Sequence, residues 1–135
     1  MKQRVLILCT GNSARSQMAE GILREMNGDN YDVESAGIDP SHVRPEAIQV
    51  MKEIGIDISG HRSKSVDEFS GRHFDYVITV CDNANESCPV FPGVMERIHW
   101  SFADPAAVTG DDDVRLDAFR KIRDEIRNRF RAKFG

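Results

Sequence analysis

A short unbroken apolar run, residues 5–8, leads into a loop of small residues and then into a helical pattern. Such a run is typical of a strand that is buried on both faces. Residues 76–80 are predicted to be another buried strand, and residues 31–35 and 97–100 two further strands. Helical spacing covers residues 15–27, 45–54 and the C-terminal region. Because strands alternate with helices, the sequence predicts one α/β domain over residues 1–135, a parallel sheet with helices on both faces.

Size and composition narrow the class of protein. The chain has 135 residues, 40% apolar and 30% charged, which suits one soluble domain. No apolar stretch is long enough to cross a bilayer and the N-terminus lacks a secretory cleavage site, so we expect a complete, cytoplasmic protein without membrane contact. A net charge of −4 argues against nucleic-acid binding. We interpret the basic residues near the C-terminus as the solvated face of a helix: Arg115, Arg120, Lys121, Arg123, Arg127, Arg129, Arg131 and Lys133.

The loop after the first strand combines small and polar residues with one cysteine and one arginine: Cys9, Thr10, Gly11, Asn12, Ser13, Ala14, Arg15 and Ser16. Backbone N–H groups of such a loop, with the helix N-terminus behind them, attract anions. The planar fork of Arg15 can bind two oxygens of a tetrahedral oxyanion. The same field favours the thiolate of Cys9, to which Ser16 can donate a hydrogen bond. The loop therefore predicts an oxyanion site with Cys9 as nucleophile; the alternative is that Cys9 is a small buried residue at a strand end.

Two further cysteines follow the third strand. Cys81 should lie at the same sheet edge as Cys9, because the carboxyl ends of parallel strands share one edge. Cys88 comes seven positions later, in a polar segment that we expect to be a mobile loop with Cys88 near solvent. Such a loop could form and release a disulfide. Two unrelated thiols or a zinc site are the alternatives, although no histidine lies at short ligand spacing from a cysteine, so no metal site is predicted.

The Cys-x5-Arg-Ser pattern near the N-terminus resembles the active-site loop of the low-molecular-weight protein tyrosine phosphatase superfamily. The resemblance implies a four-stranded parallel sheet and a general acid from an Asp-Pro pair late in the chain. Asp104 and Pro105 form such a pair, and a carboxyl group there could protonate a leaving oxygen. An Asp-Pro pair by itself is also a common turn former.

The chain as a whole resembles the thioredoxin-coupled arsenate reductases, over nearly its full length: in residues 9–20, 35–37, 57–59, 81–88, 99–100 and 104–105. The resemblance implies that Cys9 is the nucleophile, and that Arg15 and the loop amides bind arsenate. It implies further that Asp104 is the acid and that Cys81 and Cys88 are a redox pair that thioredoxin reopens. We also expect a monomer without a resident cofactor.

Two positions depart from that pattern. Ala14 stands where many relatives carry another cysteine. Some family members bind potassium near the positions of Asn12, Glu20 and Ser35, helped by an acidic residue in the following polar segment, where this chain has Lys64. Because a fixed ammonium group could replace the cation beside Glu20, we expect little response to potassium.

Two rival functions stay open. A phosphatase would share the oxyanion loop, but phosphatases of this superfamily usually have an aromatic residue after Asp-Pro and a proline after Arg-Ser. Here Ala106 and Gln17 occupy those positions. A thiol-based sensor without turnover would need neither Asp104 nor a third cysteine.

Overall fold

Four parallel strands form the centre of the computed structural model, which describes residues 2–88, 91 and 93–135. They lie in the spatial order β2-β1-β3-β4 and run over Gln3–Cys9 (β1), Tyr31–Gly37 (β2), Tyr76–Thr79 (β3) and Glu96–His99 (β4). All three neighbouring pairs are parallel. The predicted fold class, a single four-stranded parallel α/β domain, is confirmed.

Strand β1 is central, and its residues 5–8 are fully buried, as their unbroken apolar run predicts. The register places Cys9, the last residue of β1, beside Gly37 of β2. On the other side, Thr79 of β3 pairs with the residue before Cys9. Cys81 follows two residues later, so both cysteines lie at the carboxyl edge of the sheet.

Four α-helices surround the sheet: α1 (Arg15–Asn27), α2 (Pro45–Glu53), α3 (Asp82–Ser87) and α4 (Asp112–Phe134). Helices α1, α2 and α4 pack against one another, whereas α3 contacts β1 and β3. The Asp111 carboxylate begins α4 by accepting a hydrogen bond of 3.0 Å from the Val114 N–H. In the part of the chain that the structure describes, no helix is both long and apolar enough to cross a membrane.

The segment between Cys81 and Cys88, expected to be a loop, is the short helix α3. Cys81 is its N-cap and Cys88 its C-cap. The Cys81 sulfur accepts a hydrogen bond of 3.4 Å from the Ala84 N–H, and Asp82 in the first turn complements the helix dipole. The two thiols therefore lie at opposite ends of a helix rather than on one flexible loop.

The basic face of α4 is largely exposed, as at Arg127 and Arg131, but Arg123 departs from the solvated-face interpretation. Only 9% of Arg123 is accessible to solvent. Its guanidinium donates hydrogen bonds to the Val50 carbonyl at 2.9 Å and to a Glu53 carboxylate oxygen at 3.0 Å. This arginine therefore ties α4 to the end of α2.

Candidate active site

The loop after β1 is held by its carbonyl groups. Four carbonyl oxygens, those of residues 9, 10, 11 and 13, accept hydrogen bonds of 2.8–3.1 Å from backbone N–H groups. The donors are, respectively, Ile38, Asp39, Ser41 and Arg44. The carbonyl oxygens of residues 12 and 14 are bound by the Gln17 side chain and the Met18 N–H. The backbone N–H groups of residues 11–14 make no hydrogen bond to the described part of the chain. The loop therefore offers these donors to a ligand, as an oxyanion site requires.

Gly37 lets this arrangement form. A Cβ atom on Gly37 would lie 2.6 Å from the Thr10 carbonyl oxygen and 2.9 Å from the Asn12 nitrogen. Both contacts are with backbone atoms, which cannot move aside as a flexible side chain can. The end of β2 must therefore be glycine for the loop to pack against it.

The Asn12 side chain fixes the interior of the loop. Its backbone is left-handed, with φ of 46°, a conformation that asparagine tolerates. Its Oδ1 accepts a hydrogen bond from the Lys64 N–H at 2.9 Å, and its Nδ2 donates to the hydroxyls of Ser16 at 2.7 Å and Ser35 at 3.0 Å. Because the Ser16 hydroxyl accepts from Asn12, its proton is available to the Cys9 sulfur, 3.0 Å away.

Glu20 anchors the other end of this network. Only 3% of Glu20 is exposed, and its carboxylate accepts a hydrogen bond of 2.6 Å from the Ser35 hydroxyl. Arg24 at 3.1 Å and the Lys64 ammonium at 3.8 Å compensate its charge. His61 lies 3.4 Å away; burial lowers the pKa of its imidazole, although Glu20 opposes that change. Asn12 thus donates toward both ends of this network, through Ser35 to Glu20 and through Ser16 to Cys9.

Arg15 and Asp104 meet at the mouth of the loop. The Arg15 guanidinium donates to the Phe102 carbonyl at 3.0 Å and lies 3.9 Å from one Asp104 carboxylate oxygen. The other Asp104 oxygen accepts from the Ala106 N–H at 2.9 Å. The side chain of Arg15 is 13% exposed and that of Asp104 46%. Arg15 is therefore positioned for anion binding, and Asp104 for proton transfer at the opening.

Cys81 contacts the loop through Thr10. Their side-chain oxygen and sulfur are 3.3 Å apart, and the Asn83 amide donates to the same Thr10 oxygen at 3.1 Å. Because Thr10 accepts from Asn83, its own proton is directed to the Cys81 sulfur, which also accepts from the Ala84 N–H. These two contacts hold the Cys81 sulfur beside the loop.

The structure thus brings most of the expected site residues together: the loop of residues 9–16, Asp104 and Cys81. Cys88 lies apart from them, half-buried at the far end of α3. Sequence reasoning missed the pairing of residues 38–44 with the loop, which has no local signal, and the contact between Asn83 and Thr10. Gly37 lies in a segment that resembles the family, but the close approach that requires glycine there was not predicted. Among the described residues, no three metal-ligating side chains converge on one point.

Comparison with known proteins decides the family. Residues 4–134 match the model of the low molecular weight phosphotyrosine protein phosphatases. The chain belongs to this family. The resemblance inferred from the sequence is confirmed.

Individual relatives carry a more specific name. The arsenate reductase of Halalkalibacterium halodurans is 47% identical over 131 residues, which cover 97% of this chain and 94% of that protein. The solved structure of an arsenate reductase in an oxidized state matches with a TM-score of 0.81 at 32% identity, over 96% of this chain and 95% of the other. A thioredoxin-dependent arsenate reductase of Corynebacterium glutamicum matches with a TM-score of 0.72 at 28% identity, over 97% of this chain and 61% of the other.

Replacing Gly37 with alanine should weaken oxyanion binding about tenfold or more, because steric strain of about 1–3 kcal/mol is imposed on the loop backbone. Titration calorimetry with inorganic phosphate measures the affinity, and circular dichroism checks the fold. Gly60→Ala is the matched control, since a Cβ there would meet no atom within 4 Å. Phosphate affinity in Gly37→Ala equal to that of the wild type would contradict the role of this close approach.

Arg15→Lys should reduce arsenate turnover at least tenfold in a folded protein, because a point charge cannot reproduce two parallel hydrogen bonds to one anion. The reduction assay with a thermal melt of the same sample separates this loss from unfolding. Unchanged arsenate kinetics in the folded variant would remove Arg15 from the site.

Proposed function

We propose that this chain reduces arsenate to arsenite by a three-cysteine relay, in which Cys9 attacks and Cys81 and Cys88 carry the oxidation to an external thioredoxin. The observation that carries the proposal is the hydrogen bond between Cys81 and Thr10, which places a second thiol beside the loop of the first. The arsenate reductases among the relatives support arsenate as substrate. Such an activity serves arsenic detoxification.

In the first step the loop binds the tetrahedral anion with the N–H groups of residues 11–14 and the Arg15 guanidinium. The Cys9 thiolate, stabilised by the Ser16 hydroxyl, attacks arsenic. Asp104 protonates the departing oxygen, for which its place at the opening is suitable.

The second step transfers two electrons. Cys81 attacks the Cys9 sulfur, so a Cys9–Cys81 bond forms and the sulfur–arsenic bond breaks. The bonding pair leaves with arsenic, which is thereby reduced from arsenate to arsenite. The hydrogen bonds of the Cys81 sulfur with Thr10 and the Ala84 N–H support this attack because they hold the sulfur beside the loop that carries Cys9.

The third step needs α3 to open. The seven residue-to-residue steps from Cys81 to Cys88 span roughly 10 Å along a helix axis, whereas disulfide-bonded Cα atoms are about 5.5 Å apart. Once the helix opens, Cys88 attacks Cys81 and releases the Cys9 thiolate. A dithiol protein then reopens the Cys81–Cys88 disulfide by the same exchange chemistry. The thioredoxin-dependent relative from Corynebacterium glutamicum supports thioredoxin in this role.

Phosphatase activity is the second candidate, and the family supports it. Hydrolysis of an aryl phosphate would need only the loop, Cys9, Arg15 and Asp104. However, Ala106 follows the Asp-Pro pair and provides no aromatic ring for stacking on a phosphotyrosine. We therefore propose a residual activity on small aryl phosphates rather than a protein phosphatase.

The surroundings of Glu20 do not suit a bound potassium ion. Lys64 is only 8% exposed, and its ammonium lies 3.8 Å from the Glu20 carboxylate, which also has the Arg24 guanidinium at 3.1 Å. A further cation would meet two positive groups there. We propose that Lys64 supplies the positive charge itself.

The later cysteines separate the reductase from the phosphatase. Cys81→Ser should abolish arsenite release but leave aryl phosphate hydrolysis within about twofold of wild type, because hydrolysis does not need Cys81. Cys88→Ser should complete one turnover and stop as a Cys9–Cys81 disulfide, which peptide mapping by mass spectrometry detects. Repeated turnover of Cys88→Ser with thioredoxin would disprove the relay and leave a simpler two-thiol reductase.

Potassium should have little effect on this protein. We expect activity and melting temperature in potassium chloride to match those in sodium chloride at equal ionic strength. Lys64→Gln removes the ammonium and should make both quantities sensitive to the choice of cation. A clear potassium response of the wild type would show that Lys64 does not replace the ion.

A further inference from the structure

A side chain from the sheet holds the last turn of α3. In a continuing helix the Asn85 carbonyl would accept a hydrogen bond from the N–H four residues later, but position 89 is proline, which has none. The Arg97 guanidinium supplies the missing donor: its Nη2 lies 2.7 Å from the Asn85 carbonyl oxygen and 3.4 Å from its Oδ1. Arg97 is fixed on β4 by its pairing with Val77.

The same guanidinium acts on the thiol at the end of the helix. Burial raises the pKa of Cys88, and the positive charge of Arg97 opposes that rise. Two acidic residues belong to α3 itself. Asp82 pairs with His99 at 2.9 Å at the opposite end of the helix, and Glu86 is exposed.

We propose that Arg97 is a positioning residue for the relay: it holds the last turn of α3 through Asn85 and keeps a positive charge at the end of the helix that carries Cys88. The inference rests on the proposed three-cysteine relay and adds to it the group that prepares its last thiol. Arg97 touches neither the oxyanion loop nor Asp104 in the described structure, so its effect is confined to disulfide transfer.

The disulfide transfer that Arg97 assists conserves electrons within the protein. Cys88 loses its proton to solvent, and its thiolate attacks the Cys81 sulfur of the Cys9–Cys81 disulfide. The Cys81–Cys88 bond forms as the Cys9–Cys81 bond breaks, and Cys9 leaves with the electron pair as a thiolate. Cys88 is oxidised and Cys9 is reduced, so no outside oxidant or reductant is needed.

The test is a single turnover with arsenate and without thioredoxin, quenched with acid at intervals and mapped for both disulfides across pH 6–10. In Arg97→Gln we expect the Cys9–Cys81 species to persist about threefold longer at pH 7. At a pH above the pKa of Cys88 in both wild type and Arg97→Gln, we expect the variant to transfer the disulfide as fast as wild type or faster. The reason is that a thiol of higher pKa gives a stronger nucleophile once ionised. Arg97→Lys should restore most of the rate at pH 7 because it keeps the charge.

Lys133→Gln is the matched control: it removes another cation that pairs with β4, through Glu96, without touching α3. It should leave the transfer rate unchanged, and all three variants should hydrolyse a small aryl phosphate like wild type. An Arg97→Gln profile identical to wild type, or one slowed equally at every pH, would overturn the inference while leaving the relay intact. Absence of any Cys81–Cys88 disulfide in the wild type would instead disprove the relay itself.

Discussion

The site depends on the pairing between the loop after β1 and the chain that continues from β2. A peptide group carries its carbonyl and N–H on opposite sides, so once the carbonyls of residues 9, 10, 11 and 13 are bound by residues 38–44, the N–H groups nearby are turned the other way. This pairing extends the β1–β2 register, in which Cys9 lies beside Gly37. The shape of the anion site is thus a consequence of how β1 and β2 end. Helix α1 begins directly after the loop.

Inside the loop, each hydrogen bond has a fixed donor and a fixed acceptor. Lys64 presents an N–H to Asn12, which forces the Asn12 amide to donate to both serines. Ser35 then donates to Glu20, and the Ser16 proton remains for Cys9. A buried carboxylate is costly unless it is paired, and the cations around Glu20 offset that cost. The donors that stabilise the thiolate are therefore in place before substrate arrives, which is what electrostatic preorganisation requires.

Local sequence patterns were sufficient to predict the strands, the first helix and the content of the loop, because each depends on neighbours in the chain. They did not predict α3, whose six residues include only one apolar residue, Ala84, and therefore show no apolar periodicity. Its order comes from distant side chains, Arg97 on Asn85 and His99 on Asp82. Arg123 was misassigned for the same reason: a basic run usually marks a solvated face, and only the fold brings Val50 within reach. Contacts between residues far apart in sequence leave no local signal.

The weakness of α3 suits the chemistry proposed for it. An isolated helix of this length is not stable in water. Of the residues that α3 buries, Cys81 and Ala84 are small, and its other contacts are polar groups at or near the surface, each contributing on the order of 1 kcal/mol. Opening it should therefore cost far less than unfolding the domain, whose stability is of the order of 5–15 kcal/mol. While closed, the helix keeps Cys81 against Thr10 and Cys88 away from it. A tighter helix would hinder disulfide transfer, and a disordered segment would not hold Cys81 beside the loop, so marginal order is the condition that both steps share.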